Sequence, residues 1–173
     1  MRTKRKPPTK KTVLLIVIAS ILVIAGGGVG ALWWKNSQPP ISGKIRDKVS
    51  FAILSPKHSD YRIAPESVRY DSSAKVLTFS LKHDKDSIVF TEQATPDLIA
   101  SFPDMLSRQF DMMKNKKTIS TPAGTIYVAT NQDLHQQQVG AMNSKGTLLF
   151  AQPNHTLDED TWRQLFSDVV EIK

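Results

Sequence analysis

The sequence predicts an α+β chain: an N-terminal transmembrane helix, then an antiparallel β-sheet with two helices packed on one face. Three observations carry this expectation. Residues 13–34, from Val13 to Trp34, contain no charged side chain. At about 1.5 Å per residue such a helix spans roughly 30 Å, the depth of a bilayer core. Behind it, short runs of alternating apolar and polar residues are separated by polar turn clusters, the pattern of antiparallel hairpins. Two later stretches, 95–113 and 156–172, repeat apolar residues at intervals of three and four, the pattern of helices that bury one face.

The chain opens with a basic tail, residues 1–12, which contains Pro7-Pro8 and has no apolar side chain after Met1 to bury. Arg2, Lys4, Arg5, Lys6, Lys10 and Lys11 all precede the uncharged run, while Lys35 alone follows closely. That asymmetry places the N-terminus in the cytoplasm and everything after Lys35 outside the plasma membrane. Trp33 and Trp34 fit the outer interface, where an indole buries its ring and keeps its N–H wet. The same tail accounts for most of the net charge of +7. With its six cations set aside, 17 basic residues face 16 acidic ones. A near-neutral domain has no field to collect phosphates, so nucleic acid is excluded as a partner. There is no cysteine, which excludes disulfides, thiol catalysis and cysteine-held zinc.

Within the apolar run, Gly26 and Gly30 form a Gly-x-x-x-Gly pair, a spacing that lets two membrane helices approach closely and pair as a homodimer. Val29-Gly30-Ala31 also offers small residues to a signal peptidase, so a secreted form cleaved near Ala31 stays open as an alternative. Residues 35–48 read as a linker in which Pro39-Pro40 favours an extended exit, with one helical turn over 41–48.

The outer domain, 49–173, starts with a strand over 49–54 that ends at Ser55-Pro56, because proline cannot donate to a ladder. Short strand pieces at 61–63 and 67–70 flank Ala64-Pro65. Residues 75–81 alternate with Leu77, Phe79 and Leu81 inward. His83-Asp84-Lys85-Asp86 turns the chain into a strand over 87–93. The helical region after Thr95-Pro96-Asp97 carries the stripe Ile99, Phe102, Leu106, Phe110 and Met113, and Pro103 sets a restart within it. The basic run 114–117 is expected at the helix C-terminus, where cations favour the dipole. Strands follow at 118–120 and 125–130, with Gln136-Gln137-Gln138 as a polar loop. A hairpin at 139–143 and 147–152 turns about Ser144-Lys145-Gly146. The last helix opens on Thr156-Leu157-Asp158-Glu159, a capping-box pattern, and its stripe is Trp162, Leu165/Phe166, Val169 and Ile172.

Several local patterns resemble an uncharacterised family of bacterial envelope domains that sit outside the membrane behind one N-terminal helix. The residues are Ser55-Pro56-Lys57 with Tyr61, Ser67-Val68-Arg69-Tyr70, Thr91-Glu92-Gln93-Ala94-Thr95-Pro96 and Thr121-Pro122-Ala123-Gly124-Thr125-Ile126-Tyr127. The resemblance implies a curved antiparallel sheet over helices, loosely similar to lipoprotein-carrier and anti-sigma-regulator half-barrels. It transfers no catalytic residue.

The chemistry-bearing residues form no motif. His58, His83, His135 and His155 fall in turns or loops, none at the i,i+4 spacing of helix ligands, so no metal site is expected. The densest acidic clusters, 83–86 and 157–160, lack a calcium-loop pattern or belong to a helix start. There is no nucleophile elbow, phosphate loop or dinucleotide fingerprint, and no cofactor is implied. The expectation is therefore a single-pass membrane protein with a non-catalytic extracytoplasmic binding or regulatory domain. Its partners would be the bilayer, through residues 13–34, and an envelope protein, peptide or apolar ligand. An envelope enzyme with a site assembled from distant residues is the other open reading.

Overall fold

The computed structural model describes residues 40–56, 60–167 and 169–172. The uncharged run 13–34, with Gly26, Gly30 and Ala31, lies outside the described residues. Among those described, no helix is long and apolar enough to cross a membrane. The element order is α1 (Gly43–Arg46), β1 (Leu54–Pro56), β2 (Arg62–Asp71), β3 (Val76–His83), β4 (Asp86–Ala94), α2 (Asp97–Ser101), α3 (Asp104–Asp111), β5 (Lys114–Thr121), β6 (Gly124–Asn131), β7 (Gln136–Met142), β8 (Thr147–Pro153), α4 (Glu159–Ser167) and β9 (Val169–Glu171).

The fold is α+β. Seven strands form one antiparallel sheet in the order β2-β3-β4-β8-β7-β6-β5. Two meanders, β2-β3-β4 and β5-β6-β7-β8, meet where β4 pairs with β8, from Ile88↔Pro153 to Ala94↔Thr147. The alternation over 76–83 puts Leu77, Phe79 and Leu81 in the core, with none of their surface exposed. β2 is one strand rather than two pieces, with a bulge between Ala64 and Arg69. Pro65 has no N–H to give, and the Ser67 hydroxyl substitutes for the lost backbone pairing. It donates to Ala64 O at 2.6 Å and accepts from Ser80 N at 2.8 Å.

The sheet buries both faces, which corrects the expectation of two helices on one side. Successive strand residues point to opposite faces. Leu149, Ala151, Val139 and Phe90 join the main core with Trp162, Leu165 and Phe166 of α4. Leu148 and Ala129, one step out of phase, pack instead with Ile99 of α2 and with Leu106 and Phe110 of α3. So α4 covers one face, and α2 with α3 cover the other. An aromatic chain runs through the main core: Phe79 to Phe90 at 5.5 Å, Phe90 to Phe166 at 6.2 Å and Phe166 to Trp162 at 6.3 Å between ring centres. Each of these fully buried rings stabilises the fold by roughly 1.5–3 kcal/mol.

Residues 41–56 form a strap across the main core. Ile41, Val49, Phe51, Ile53 and Leu54 are all buried there, so the core reaches back into the stretch whose composition reads as a linker. Only 54–56 of the strap are a strand, and they pair with β9 as a separate two-stranded ribbon. That pairing also corrects the C-terminus. The apolar stripe of 156–172 continues past Ser167, yet Val169–Glu171 are extended, because the strap offers them a backbone ladder.

Three local expectations also shift. The helical region restarts at Pro103 as expected, but Phe102 falls at the break between α2 and α3 and leaves the stripe, 57% exposed. Lys114 and its basic neighbours begin β5 instead of ending a helix; Asn115, at φ 54°, absorbs the irregular register there. Gln136, Gln137 and Gln138 pair with Asn131, Thr130 and Ala129 as the start of β7, where a loop is the expectation from polarity alone.

Gly140 marks where α3 lies closest to the sheet. A Cβ built there would stand 2.5 Å and 2.8 Å from ring carbons of Phe110 and 3.2 Å from Leu106. Gly140→Ala must displace a buried ring, and it is expected to lose about 1–3 kcal/mol in urea unfolding. A stability equal to that of the wild type would show that α3 does not seat as closely as described.

Candidate functional site

Two clefts flank α4, and they differ in character. The first, about 220 Å³, lies where the start of β2 and the β3–β4 turn approach α4. Asp60, Tyr61, His83 and Asp86 form one wall, and Thr161, Gln164 and Leu165 of α4 form the other.

The position of this cleft is set by Asn154. Its backbone N–H donates to Ser87 O at 2.8 Å, and its side chain accepts from Ser87 N at 2.9 Å and donates to Lys85 O at 3.1 Å. The stretch after β8 is thereby fastened to the β3–β4 turn. The fastening also brings the neighbouring His155 within 3.6 Å of an Asp86 carboxylate oxygen. The other Asp86 oxygen accepts from the Tyr61 hydroxyl at 3.2 Å. The ring of Tyr61 packs against that of His83 at 5.4 Å between centres, tilted by 46°. Sequence separates these four groups by up to 94 positions; the β4–β8 pairing collects them.

Burial pushes the Tyr61 phenol up to about 12, helped by the Asp86 and then the Asp158 carboxylates. A phenol held so firmly protonated is a hydrogen-bond donor and a poor nucleophile or base. The Thr161 amide donates to Asp158 at 2.7 Å, and bonds from Thr161 backbone and side chain hold the Asp158 carboxyl below its ordinary range. Asp158 is therefore the N-cap of α4, two residues later than the capping-box reading from Thr156. The cleft thus presents the Asp60 and Asp86 carboxylates, the His83 imidazole and the Tyr61 phenol, with His155 approaching Asp86 from the stretch after β8.

The second cleft, about 290 Å³, lies on the other side of α4, between its start and β5–β6. Ile119, Val128, Leu157 and Trp162 give it an apolar floor. Lys117 and Glu159, 3.4 Å apart, stand at its rim. Gln137 closes its base: it donates to Leu157 O at 3.0 Å and accepts from Leu157 N and Trp162 Nε1, both at 3.0 Å. These bonds hold Leu157 ahead of the helix and explain why α4 starts only after Asp158.

A third feature lies in the core itself. Glu92 projects from β4 on the same face as Ile88 and Phe90 and has none of its surface exposed. Its Oε2 accepts from Leu54 N at 3.1 Å, while Oε1 has no partner. Burial pushes this carboxyl well above the usual range, opposed only by the Leu54 bond. In the sequence the signal is a glutamate at an inward position of an alternating strand.

Among the described residues, no group of three or more His, Asp or Glu side chains is arranged to hold a metal ion. His83 and His155 converge near Asp86, His135 sits in the separate turn before β7 at φ 51°, and His58 lies outside the described residues. Comparison with protein-family models, curated proteins and solved structures gives no match to this chain.

Two outcomes are expected. Asp86→Asn removes the larger of the two carboxylate effects, so the Tyr61 titration in ultraviolet absorbance should move from about 12 toward 10. The raised phenol contributes stability that is complete below pH 10 and lost as pH rises through about 12. That alkaline loss should shrink in the same variant. Separately, Gln137→Ala leaves Leu157 N–H, Leu157 C=O and the Trp162 indole without their partner. It should cost about 1–3 kcal/mol per group left buried, read by denaturant unfolding.

Proposed function

We propose that this chain is a single-pass plasma-membrane protein whose globular domain works outside the cytoplasm as a non-catalytic binding or regulatory module. One observation carries the reading: 22 uncharged residues from Val13 to Trp34, with six basic residues before them and one, Lys35, closely after. Such a run is long enough for a bilayer core, and the charge bias orients it with the N-terminus inside. Ile41 already belongs to the buried core, so about six residues, or roughly 20 Å of extended chain, separate Trp34 from the domain. The domain would then meet its partners close to the membrane surface.

The binding part of the proposal draws on the clefts beside α4. Among the described residues α4 and the strap fill most of the main core, leaving the cleft over Ile119, Val128 and Trp162 as an apolar opening beside it. The cleft lined by Asp60, Tyr61, His83 and Asp86 suits a polar group of an envelope protein or peptide better than a lipid tail. The short sequence motifs that resemble envelope domains behind a single N-terminal helix imply the same topology. On this reading Gly26 and Gly30 form the face of a membrane-embedded homodimer.

Val29-Gly30-Ala31 favours a second reading, in which a peptidase cleaves near Ala31 and the domain is released. N-terminal sequencing of the mature protein separates the two: a start at Met1 supports the anchor, and a start near Leu32 supports release.

Topology is directly testable because the chain has no cysteine of its own. In intact expressing cells a membrane-impermeant maleimide should label Gln132→Cys, at an exposed turn position, and should label Thr9→Cys only after permeabilisation. Labelling in the opposite order overturns the orientation.

A further inference from the structure

Among the described residues the strap is held by the β1–β9 ladder, by a few further polar contacts and by a large apolar one. Leu54 N donates to Glu92, and Ala52 O accepts from the Thr147 hydroxyl at 2.8 Å. Ile53 O accepts from Ile172 N at 3.0 Å. Thr147, like Glu92, has none of its surface exposed. The two side chains lie on adjacent strands, Glu92 opposite Leu149 and Thr147 opposite Ala94, and together they support the strap from beneath.

The two polar supports are not equivalent. Thr147 is neutral and its hydroxyl is bonded. Glu92 is ionisable, and one of its oxygens is buried with no partner. Across the strands its neighbours are Leu77 and Leu149. Among the described residues no cation pairs with it: Arg46, Asp47 and Lys48 of the strap, Lys82 and His83 of β3, the Glu159–Arg163 pair of α4 and Glu171 of β9 make no ion pair or hydrogen bond with Glu92, and burial outweighs the single Leu54 bond. β8 carries no charge. A neutral carboxyl tolerates such a site, whereas a carboxylate with one hydrogen bond must either regain its proton or reach water. The element between this group and water on the Leu54 side is the strap.

We propose that Glu92 is a proton-operated latch for the strap: the neutral carboxyl keeps residues 41–56 seated on the sheet, and ionisation lifts the segment from Leu54 outward. Release exchanges a closed face for an apolar groove floored by Leu77 and Leu149 with a carboxylate at its centre. The domain then has two states, one with the strap seated and one with it lifted. The latch stands independently of the membrane topology. On the anchored reading, release also lengthens the tether by up to roughly 3.3–3.6 Å per freed residue.

The sign of the pH effect follows from linkage. The carboxyl binds its proton more tightly with the strap seated than with it lifted, so the seated state is favoured in full below the ordinary value of 4.5. That preference is lost as pH rises through the seated-state value. In between, the lifted fraction grows about tenfold per pH unit.

The test is hydrogen exchange on the full chain in detergent micelles across this range, corrected for the intrinsic pH dependence of amide exchange. In the wild type, protection of the strap amides around Leu54 should fall about tenfold per pH unit while the β3 and β4 amides hold. Glu92→Gln and Glu92→Met should both abolish the slope; the Met variant fills the site without a polar group, so it covers the case in which Gln fails to fold. Thr147→Val removes the neutral contact only, and should loosen the strap by a constant factor while keeping the slope. A pH-independent strap in the wild type, a slope that survives in the Glu92 variants, or strap and sheet opening together would overturn the latch. Maleimide labelling reads topology alone, so failure of the latch and failure of the anchor are distinguishable.

Discussion

The pairing of β4 with β8 is the constraint on which the rest of this structure depends. Each meander is built from hairpins that local turns close at little entropic cost. The β4–β8 ladder is different: it joins residues more than fifty positions apart, from Ile88↔Pro153 to Ala94↔Thr147, and turns two small sheets into one of seven strands. It sets Glu92 beside Leu149 and Thr147 beneath Ala52, which creates the seat for the strap. At the other end of the same ladder it lets Asn154 fasten the β3–β4 turn, and so brings His155 to Asp86. Both the polar cleft and the buried carboxyl are consequences of one register.

Burial on both faces explains how so few helical residues stabilise so wide a sheet. α4 contributes Trp162, Leu165 and Phe166 to one side; α2 and α3 contribute Ile99, Leu106 and Phe110 to the other. The strap completes the first side with five buried apolar residues, although only three of its residues are a strand. Its contribution is mostly apolar area, which is non-directional. Directional control therefore falls to the few hydrogen bonds that set its register, and one of these ends on an ionisable group. A contact of that kind ties the seating of the strap to the protonation of one carboxyl.

The edges of the sheet bear on how the domain meets other proteins. β5 is an edge strand that begins with Lys114, Asn115, Lys116 and Lys117, and Arg163 of α4 donates to Ser120 O at its outer side. β2 is the other edge, interrupted by Pro65 and a bulge. Charge, proline and bulges all discourage uncontrolled strand addition.

Much of this was legible in the sequence, for reasons that are local. Alternation at Leu77, Phe79 and Leu81 identified an inward strand face, and Pro103 identified the restart between α2 and α3, because side-chain period and proline chemistry act within a few residues. What failed was whatever a distant partner decided. Val169 and Ile172 continue the period of α4, yet the first becomes strand because β1 offers it a ladder. Gln137 reads as loop until Leu157 and Trp162 supply its bonds. The same holds for function. The sequence by itself determined the uncharged run, the asymmetry of cations around it and the absence of any short catalytic motif. Only the tertiary structure decided that Tyr61, His83 and Asp86 share a cleft with His155 close to Asp86, that α2 and α3 oppose α4, and that Glu92 lies beneath Leu54. Composition and periodicity are summed along the chain, whereas a site is made by contacts across it, and those are fixed by a strand register that no local pattern encodes.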